Sequence, residues 1–169
     1  MTFDWGIFMH LFPLAYHITF GTYGARLHGD ARPTVHHQQN KPGQPFVCRN
    51  QAKRQNERVR MRGVSVSLCR EMRVWVERQI PTICERGGWD LWISAACADH
   101  VHVLLSARVD GKAVRRWLKT WLGQWLTQAW GEPKSGRWWA KGGSVKPVWT
   151  QAYFERVYYY IQRQRTLAG

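Results

Sequence analysis

The segment LWISAACADHVHVLLSA, residues 91–107, decides the fold of this chain. It contains two short apolar runs, residues 91–98 and 100–107, and the break at Ala98-Asp99 lies between them. Two such runs around a short break are typical of antiparallel strands joined by a tight turn. We therefore predict a β-hairpin in the middle of the chain.

Strands and helices are predicted on both sides of this hairpin. Residues 15–23 are rich in β-branched and aromatic side chains, and residues 145–149 (VKPVW) follow a Gly-rich basic stretch, so we predict a strand in each. Apolar residues recur at near-helical spacing in three further stretches: residues 64–87, 111–130 and 151–164. Pro81 is expected to kink the first of these helices or to end it early.

The order β, α, β, β, α, β, α predicts an α+β fold, an antiparallel β-sheet flanked by helices of the ferredoxin/RRM-like kind. We expect the helices on one face of the sheet and a single domain over residues 1–169. Residues 28–62 carry Gly, Pro, Gln, Asn and Arg without periodicity, so we predict a long basic loop there. Three tryptophans on the apolar stripe of the helix at 111–130 are expected in the core: Trp117, Trp121 and Trp125.

The charge of the chain favours a polyanionic partner. There are 25 Lys and Arg against 11 Asp and Glu, which gives a formal net charge of +14. Nucleic acid is the leading candidate, while an anionic membrane surface or ribosomal RNA is also compatible with the charge alone. The apolar fraction of 44% and the 11 tryptophans favour a packed globule over a disordered basic tail.

Membrane insertion and disulfide bonding are not expected. No stretch approaches the roughly 20 apolar residues of a membrane helix. The apolar segment at residues 1–16 lacks a basic leader and is interrupted by Asp4 and His10, so we expect no signal peptide. The cysteines form no CxxC pair and are predicted to be reduced thiols: Cys48, Cys69, Cys84 and Cys97. We expect a cytoplasmic, nucleoid-associated protein.

His100-Val101-His102 is the first group of residues that suggests chemistry. Side chains alternate along a strand, so both histidines project from one face while Val101 projects from the other. Two imidazoles at that spacing can share a divalent metal ion. A bare H-x-H pattern is short, however, and also occurs as two ordinary histidines on a half-exposed strand.

The second group is the run of tyrosines in the last predicted helix. Residues four apart lie on one face of a helix, so Tyr160 and Gln164 are neighbours there. A phenol hydroxyl in that position can attack phosphorus while the amide oxygen completes a metal site. Tyr158 and Gln162 have the same spacing, so geometry alone does not choose between the two pairs. The tyrosines can also simply border a core stripe.

A basic, aromatic segment at residues 137–141 is the third group. Its indoles, Trp138 and Trp139, can stack on bases, and its cations, Arg137 and Lys141, can neutralise phosphates, a combination that suits single strands. The alternative is a pair of tryptophans packed against the protein itself.

Three motifs in a fixed order resemble one family: YHITFGTYG at residues 16–24, HVHVLLS at 100–106 and YIQRQ at 160–164. The order resembles that of the single-tyrosine HUH transposases of the smallest bacterial insertion sequences, especially those associated with repetitive extragenic palindromes. HUH denotes two histidines around a hydrophobic residue. The segment RWWAKGGS at 137–144 also looks like that group, so the resemblance covers most of the chain.

The resemblance implies an HUH nuclease fold and a role for each matched residue. His100 and His102 match the paired histidines that bind a divalent metal, Mg²⁺ or Mn²⁺. Tyr160 matches the nucleophilic tyrosine, and Gln164 matches the helix residue that supplies a further ligand. Attack by the tyrosine would give a 5′-phosphotyrosine and a free 3′-hydroxyl, and the covalent link would let a second strand be joined without ATP. Relatives include homodimers and monomers.

Single-stranded or hairpin (palindromic) DNA is the partner that this resemblance implies. We expect cationic and aromatic side chains around the site to contact the DNA: Arg115, Arg116, Lys119, Arg137, Trp138, Trp139, Lys141 and Arg163. The alternative function is that of a catalytically retired protein that binds folded single-stranded DNA without cutting it. The remaining histidines considered are predicted to be surface or structural: His17, His28, His36 and His37.

Overall fold

The structure, a computed structural model, describes residues 11–25 and 64–166. The loop predicted at residues 28–62, with His28, His36 and His37, lies outside the described residues, as does Cys48. The strands are β1 (Ala15–Gly21), β2 (Asp90–Ala96), β3 (His100–Ser106) and β4 (Ser144–Val148). The helices are α1 (Arg70–Gly87), α2 (Gly111–Trp130) and α3 (Gln151–Gln162).

The strands form one antiparallel sheet in the order β2-β3-β1-β4. The predicted hairpin is confirmed as β2 and β3, and the Cys97 amide closes its turn by donating to the His100 carbonyl over 2.8 Å. β1, which comes first in the chain, lies in the middle of the sheet between β3 and β4. The α+β fold with an antiparallel sheet flanked by helices is therefore confirmed.

Helices cover both faces of the sheet, so the expectation of helices on one face was wrong. The side chains of Ile18, Val101 and Val103 pack with α1 and α2 in the larger apolar cluster. On the opposite face, Ala15 and Leu104 pack with α3 in a smaller cluster. The physical reason is that the central strands carry apolar side chains on both of their faces, so each face of the sheet must be covered.

Helix α1 begins later than the sequence suggested and ends at Gly87, the last residue of the predicted stretch. Residues 64–69 are not helical, and the Leu68 amide donates to the Ala98 carbonyl over 2.8 Å. Pro81 lies inside α1, so of the two effects expected of it, a kink or an early end, the early end does not occur. The helix stops at Gly88, whose φ of +66° is a left-handed conformation that glycine adopts without strain.

The buried stripe of α2 consists of aliphatic residues. The prediction that Trp117 lies in the core was wrong, whereas Trp121 and Trp125 are partly buried and pack against the core. Trp117 is 49% exposed, and the other two indoles are only half-buried. The guanidinium of Arg86 lies 5.2 Å from the ring centres of both Trp121 and Trp125. Four residues spaced by four face the sheet and are fully buried: Val114, Leu118, Leu122 and Leu126. In the described part of the chain, no helix is long and apolar enough to cross a membrane.

Candidate active site

The paired histidines lie on the face of β3 that α3 covers. His102 and Leu104 share that face, while Val101 and Val103 point into the larger core on the other side. The ring centres of His100 and His102 are 4.7 Å apart, with the ring planes nearly perpendicular. The predicted arrangement on one strand face is thus present, and it places two imidazoles within reach of one small ion.

Each of these two imidazoles is oriented through its Nδ1 atom. Asp99 Oδ1 lies 2.5 Å from Nδ1 of His100, and Thr19 Oγ1 lies 2.8 Å from Nδ1 of His102. A histidine that binds a metal ion commonly uses its other ring nitrogen to contact a carboxylate or another oxygen, which fixes the tautomer and the ring direction. The Nε2 atoms are then the ring nitrogens that would hold a cation.

His17 and Thr19 on β1 complete the cluster, and sequence reasoning did not place them at the site. Nε2 of His17 lies 3.3 Å from Thr19 Oγ1 and 3.2 Å from Nδ1 of His102. Burial, together with the positive charge of Lys146, lowers the pKa of His17 to about 4, so this imidazole is neutral at neutral pH. The sequence indicated that His17 and Thr19 share one face of a strand. It did not indicate that this strand pairs with β3, which brings both residues to His102.

Tyr160 is the tyrosine that the fold brings to the histidines. Its ring centre lies 5.4 Å from that of His102 and 6.3 Å from that of His17, both in edge-on contact, and its side chain is 44% exposed. Tyr158 instead stacks on Phe154 with ring centres 6.5 Å apart. The tertiary structure therefore distinguishes the two tyrosines that helical spacing alone left equivalent.

Gln164 lies beyond the end of α3, which stops at Gln162 and not at residue 164 as predicted. Its Oε1 accepts a hydrogen bond from the Cys97 thiol over 3.5 Å, and its Nε2 donates to the Tyr160 carbonyl over 3.5 Å. These contacts hold the amide against the turn that precedes His100. To act as a metal ligand, Oε1 would exchange its weak contact with Cys97 for the cation.

The predicted donor set would suit a divalent cation held by few protein ligands. Among residues 11–25 and 64–166, no three His, Cys, Asp or Glu side chains form a group that could hold a metal ion. The predicted set combines two imidazoles with one amide oxygen. Such a set leaves coordination positions for phosphate oxygens and suits Mn²⁺ or Mg²⁺ better than a closed structural zinc site.

Trp138 and Trp139 were predicted to stack on bases, and the structure contradicts this. They are 7% and 8% exposed, so neither offers an open ring face. The Trp138 indole donates to Thr127 Oγ1 over 2.9 Å, and Trp139 packs edge-on against Phe20 with ring centres 5.0 Å apart. Both indoles close the core beneath the loop that leads to β4, because their large apolar surfaces gain more from burial than from exposure.

Two of the cations predicted to bind DNA hold the same loop in place. Arg115 donates to the Gly143 carbonyl over 2.5 Å, and Lys119 donates to the carbonyls of Ala140 and Gly142 over 2.6 and 2.9 Å. Partial burial lowers the pKa of both cations. The remaining predicted cations are exposed and so accessible to a ligand: Arg116, Arg137, Lys141 and Arg163.

Comparison with known proteins supports the fold. No protein-family model matches the chain, and no curated protein matches it. Among solved structures, the chain is similar to the crystal structure of a "putative transposase" from Deinococcus radiodurans R1, with a TM-score of 0.50 and 15% sequence identity. The similarity covers 98% of each chain. At this identity it is a likeness of fold, and it extends over nearly the whole length of both proteins.

Proposed function

We propose that the protein is a transposase that nicks single-stranded DNA at hairpin ends and rejoins the strands, using one tyrosine and a divalent metal ion. The observation that carries the proposal is the contact between the Tyr160 ring and His102, on the same sheet face as His100. A nucleophilic hydroxyl beside a metal-binding pair is the arrangement that phosphodiester cleavage through a covalent intermediate needs.

Tyr160 would act as the nucleophile. Its oxygen forms a bond to the scissile phosphorus as the bond to the 3′ oxygen breaks, and its proton is lost, while the departing 3′ oxygen gains a proton. The product is a 5′-phosphotyrosine and a free 3′-hydroxyl. Because the phosphodiester bond is exchanged and not hydrolysed, another 3′-hydroxyl can reverse the step and join two strands.

His100 and His102, with Gln164, would hold the cation. When bound, it would polarise the scissile phosphate and offset the negative charge that develops there, which matters because a free tyrosine has a pKa of about 10 and is a weak nucleophile near pH 7. Asp99 and Thr19 keep the two imidazoles in the required direction through the contacts to Nδ1.

The DNA substrate is supported by charge and by the fold neighbour. A net charge of +14 favours a polyanionic partner such as DNA. The protein of similar fold from Deinococcus radiodurans is described as a "putative transposase". Tyr160 is 44% exposed, so its side chain is accessible to a DNA strand.

The direct test is a search for the covalent intermediate. Purified full-length protein is incubated with Mn²⁺ and a hairpin oligonucleotide that has single-stranded flanks, and a DNA–protein adduct is sought on a denaturing gel. We expect an adduct that peptide mapping by mass spectrometry locates on Tyr160. Tyr160→Phe should abolish it, whereas Tyr159→Phe, a matched change at the neighbouring and more exposed ring, should not.

The outcomes separate the two functions considered. An adduct on Tyr158 or Tyr159 would contradict the assignment of the nucleophile. Tight binding of the hairpin without any adduct, across Mn²⁺ and Mg²⁺, would instead favour a protein that binds folded single-stranded DNA and no longer cuts it.

A further inference from the structure

The sheet face that carries the histidines is covered unevenly. Helix α3 packs mainly on β2 and β3, and its apolar cluster includes Ile93, Leu104 and Ile161. At the other edge of the same face lies β4, where Ser144 and Lys146 are exposed. The β4 edge of this face is therefore accessible to a ligand.

Pairing between β1 and β4 fixes where these two exposed residues lie. Lys146 is directly opposite His17, and Ser144 is directly opposite Thr19. Residues opposite each other in an antiparallel pair project from the same face, with Cβ atoms about 5 Å apart. Ser144 and Lys146 thus extend the row formed by Thr19, His17 and His102 outward to the sheet edge.

The chemistry of this edge suits a phosphate group. Lys146 is exposed, and no carboxylate among the described residues forms an ion pair with it. By contrast, Lys119 and Arg115 already donate to carbonyls of the preceding loop. An ammonium group next to a hydroxyl offers several donors and no competing negative charge, which is what a backbone phosphate requires.

We propose that Lys146, assisted by Ser144, binds a backbone phosphate of the single strand and so positions the neighbouring scissile phosphate between Tyr160 and the histidine pair. Lys146 is thus a positioning residue, and the strand enters over the β4 edge of the sheet. This inference rests on the proposed function for the identity of the strand. It adds the path of that strand and the residue that sets its register.

The test measures how binding depends on salt. Full-length protein in EDTA is titrated with a fluorescein-labelled thymidine homopolymer of about 20 nucleotides, longer than the roughly 4–16 nucleotides that one small single-strand-binding fold covers. Losing one phosphate contact should reduce the slope of log K against log salt by about 0.7 and weaken binding about three- to tenfold at low salt. We expect both changes in Lys146→Ala and near wild-type behaviour in Lys146→Arg.

The matched control is Lys134→Ala, which removes the same charge from an exposed site in the segment after α2. Equal losses of slope in the two variants would overturn the proposal, because the effect would then belong to net charge. An unchanged slope in Lys146→Ala would overturn it as well.

A second readout tests positioning and separates this inference from the proposed function. With a hairpin substrate and Mn²⁺, Lys146→Ala should lower kcat/KM, and replacing one phosphate near the scissile bond by a neutral methylphosphonate should make the wild type and the variant equal. If no methylphosphonate position does so while the wild type cleaves, only the inference fails. If the wild type never cleaves, the proposed function fails, and the salt slope still decides whether Lys146 binds a phosphate.

Discussion

On one face of the sheet, α1 and α2 bury a continuous apolar core, whereas on the other face the apolar contacts of α3 stop where the histidines begin. Both faces are built by the same strands. Along β1, Ile18 and Phe20 point into the larger core, while His17 and Thr19 point to the opposite side. Because side chains alternate along a strand, successive residues of β1 contribute in turn to the core and to the candidate site.

The transition on the α3 face occurs at the same level in both central strands. Toward one end of the sheet, Ala15 and Leu104 pack against α3, and toward the other end the polar residues Thr19 and His102 lie opposite each other. Because β1 and β3 are antiparallel, the last part of one and the first part of the other meet there. On the sheet face that α3 covers, the apolar half therefore anchors the helix that carries Tyr160, and the polar half carries the histidines.

The largest effect is expected from the double substitution His100→Ala and His102→Ala. Removing both imidazoles should remove the metal ion, and with it about 3 kcal/mol or more of transition-state stabilisation, so cleavage should fall about a hundredfold or more. DNA affinity should change little, because it comes mainly from phosphate contacts. Gel-based cleavage and anisotropy titrations on the same preparation measure both, and undiminished cleavage would rule out the metal site.

The next effect tests the other face of the sheet. Leu118 is fully buried, so Leu118→Ala should lower the free energy of unfolding by about 2–5 kcal/mol in urea denaturation. Trp117→Ala at the neighbouring, 49% exposed position should cost clearly less despite removing more atoms. Equal losses would mean that Trp117 belongs to the core, as the helical spacing in the sequence suggested.

A smaller effect should come from Thr19→Val, which keeps the side-chain shape but removes the hydroxyl beside Nδ1 of His102. Losing this orienting contact should reduce metal-dependent cleavage about 10- to 100-fold. The matched change on the other side of the same strand, Ile18→Val, should leave kcat near wild type and cost about 1 kcal/mol of stability. Equal losses of cleavage activity in Thr19→Val and Ile18→Val would contradict the idea that only one face of β1 serves catalysis.

The smallest effect concerns pH. His17 has a pKa lowered to about 4, against about 6.5 for a free imidazole, because of burial and then of Lys146. Between these two pKa values, His17 binds a proton in the unfolded chain but stays neutral in the folded protein. This group should therefore cost stability as pH falls from about 6.5 to about 4, by at most about 3 kcal/mol and by less where solvent screens the half-buried ring, with no further loss below.

The contribution of His17 is measured as a difference. Urea unfolding of metal-free wild type and His17→Gln is compared at several pH values, since other acidic groups titrate in both proteins alike. The wild type should lose more stability than the variant as pH falls through this window. Parallel curves would show that His17 is not held neutral by the fold.

Local periodicity in the sequence determined most of the elements and the first candidates for chemistry. Two apolar runs around a short break located the hairpin, and the alternation of side chains along a strand put His100 and His102 on one face. Helical spacing gave α2 with its observed bounds. These features depend on residues within a few positions of each other, so the chain encodes them directly. Helix α1 was less well predicted, because the context of the fold tolerates Pro81 inside it.

Tertiary structure decided between candidate residues that local sequence patterns could not distinguish. The contact between His17 and His102 joins residues 85 positions apart, and it exists only because β1 inserts between β3 and β4. The choice of Tyr160 over Tyr158 depended on which side of α3 meets the sheet. The sequence by itself determined the strands, the helices and the residue types available for catalysis. Only the packing of distant segments decided which of those residues share a surface, because burial of apolar area is a property of the whole chain and not of neighbours in sequence.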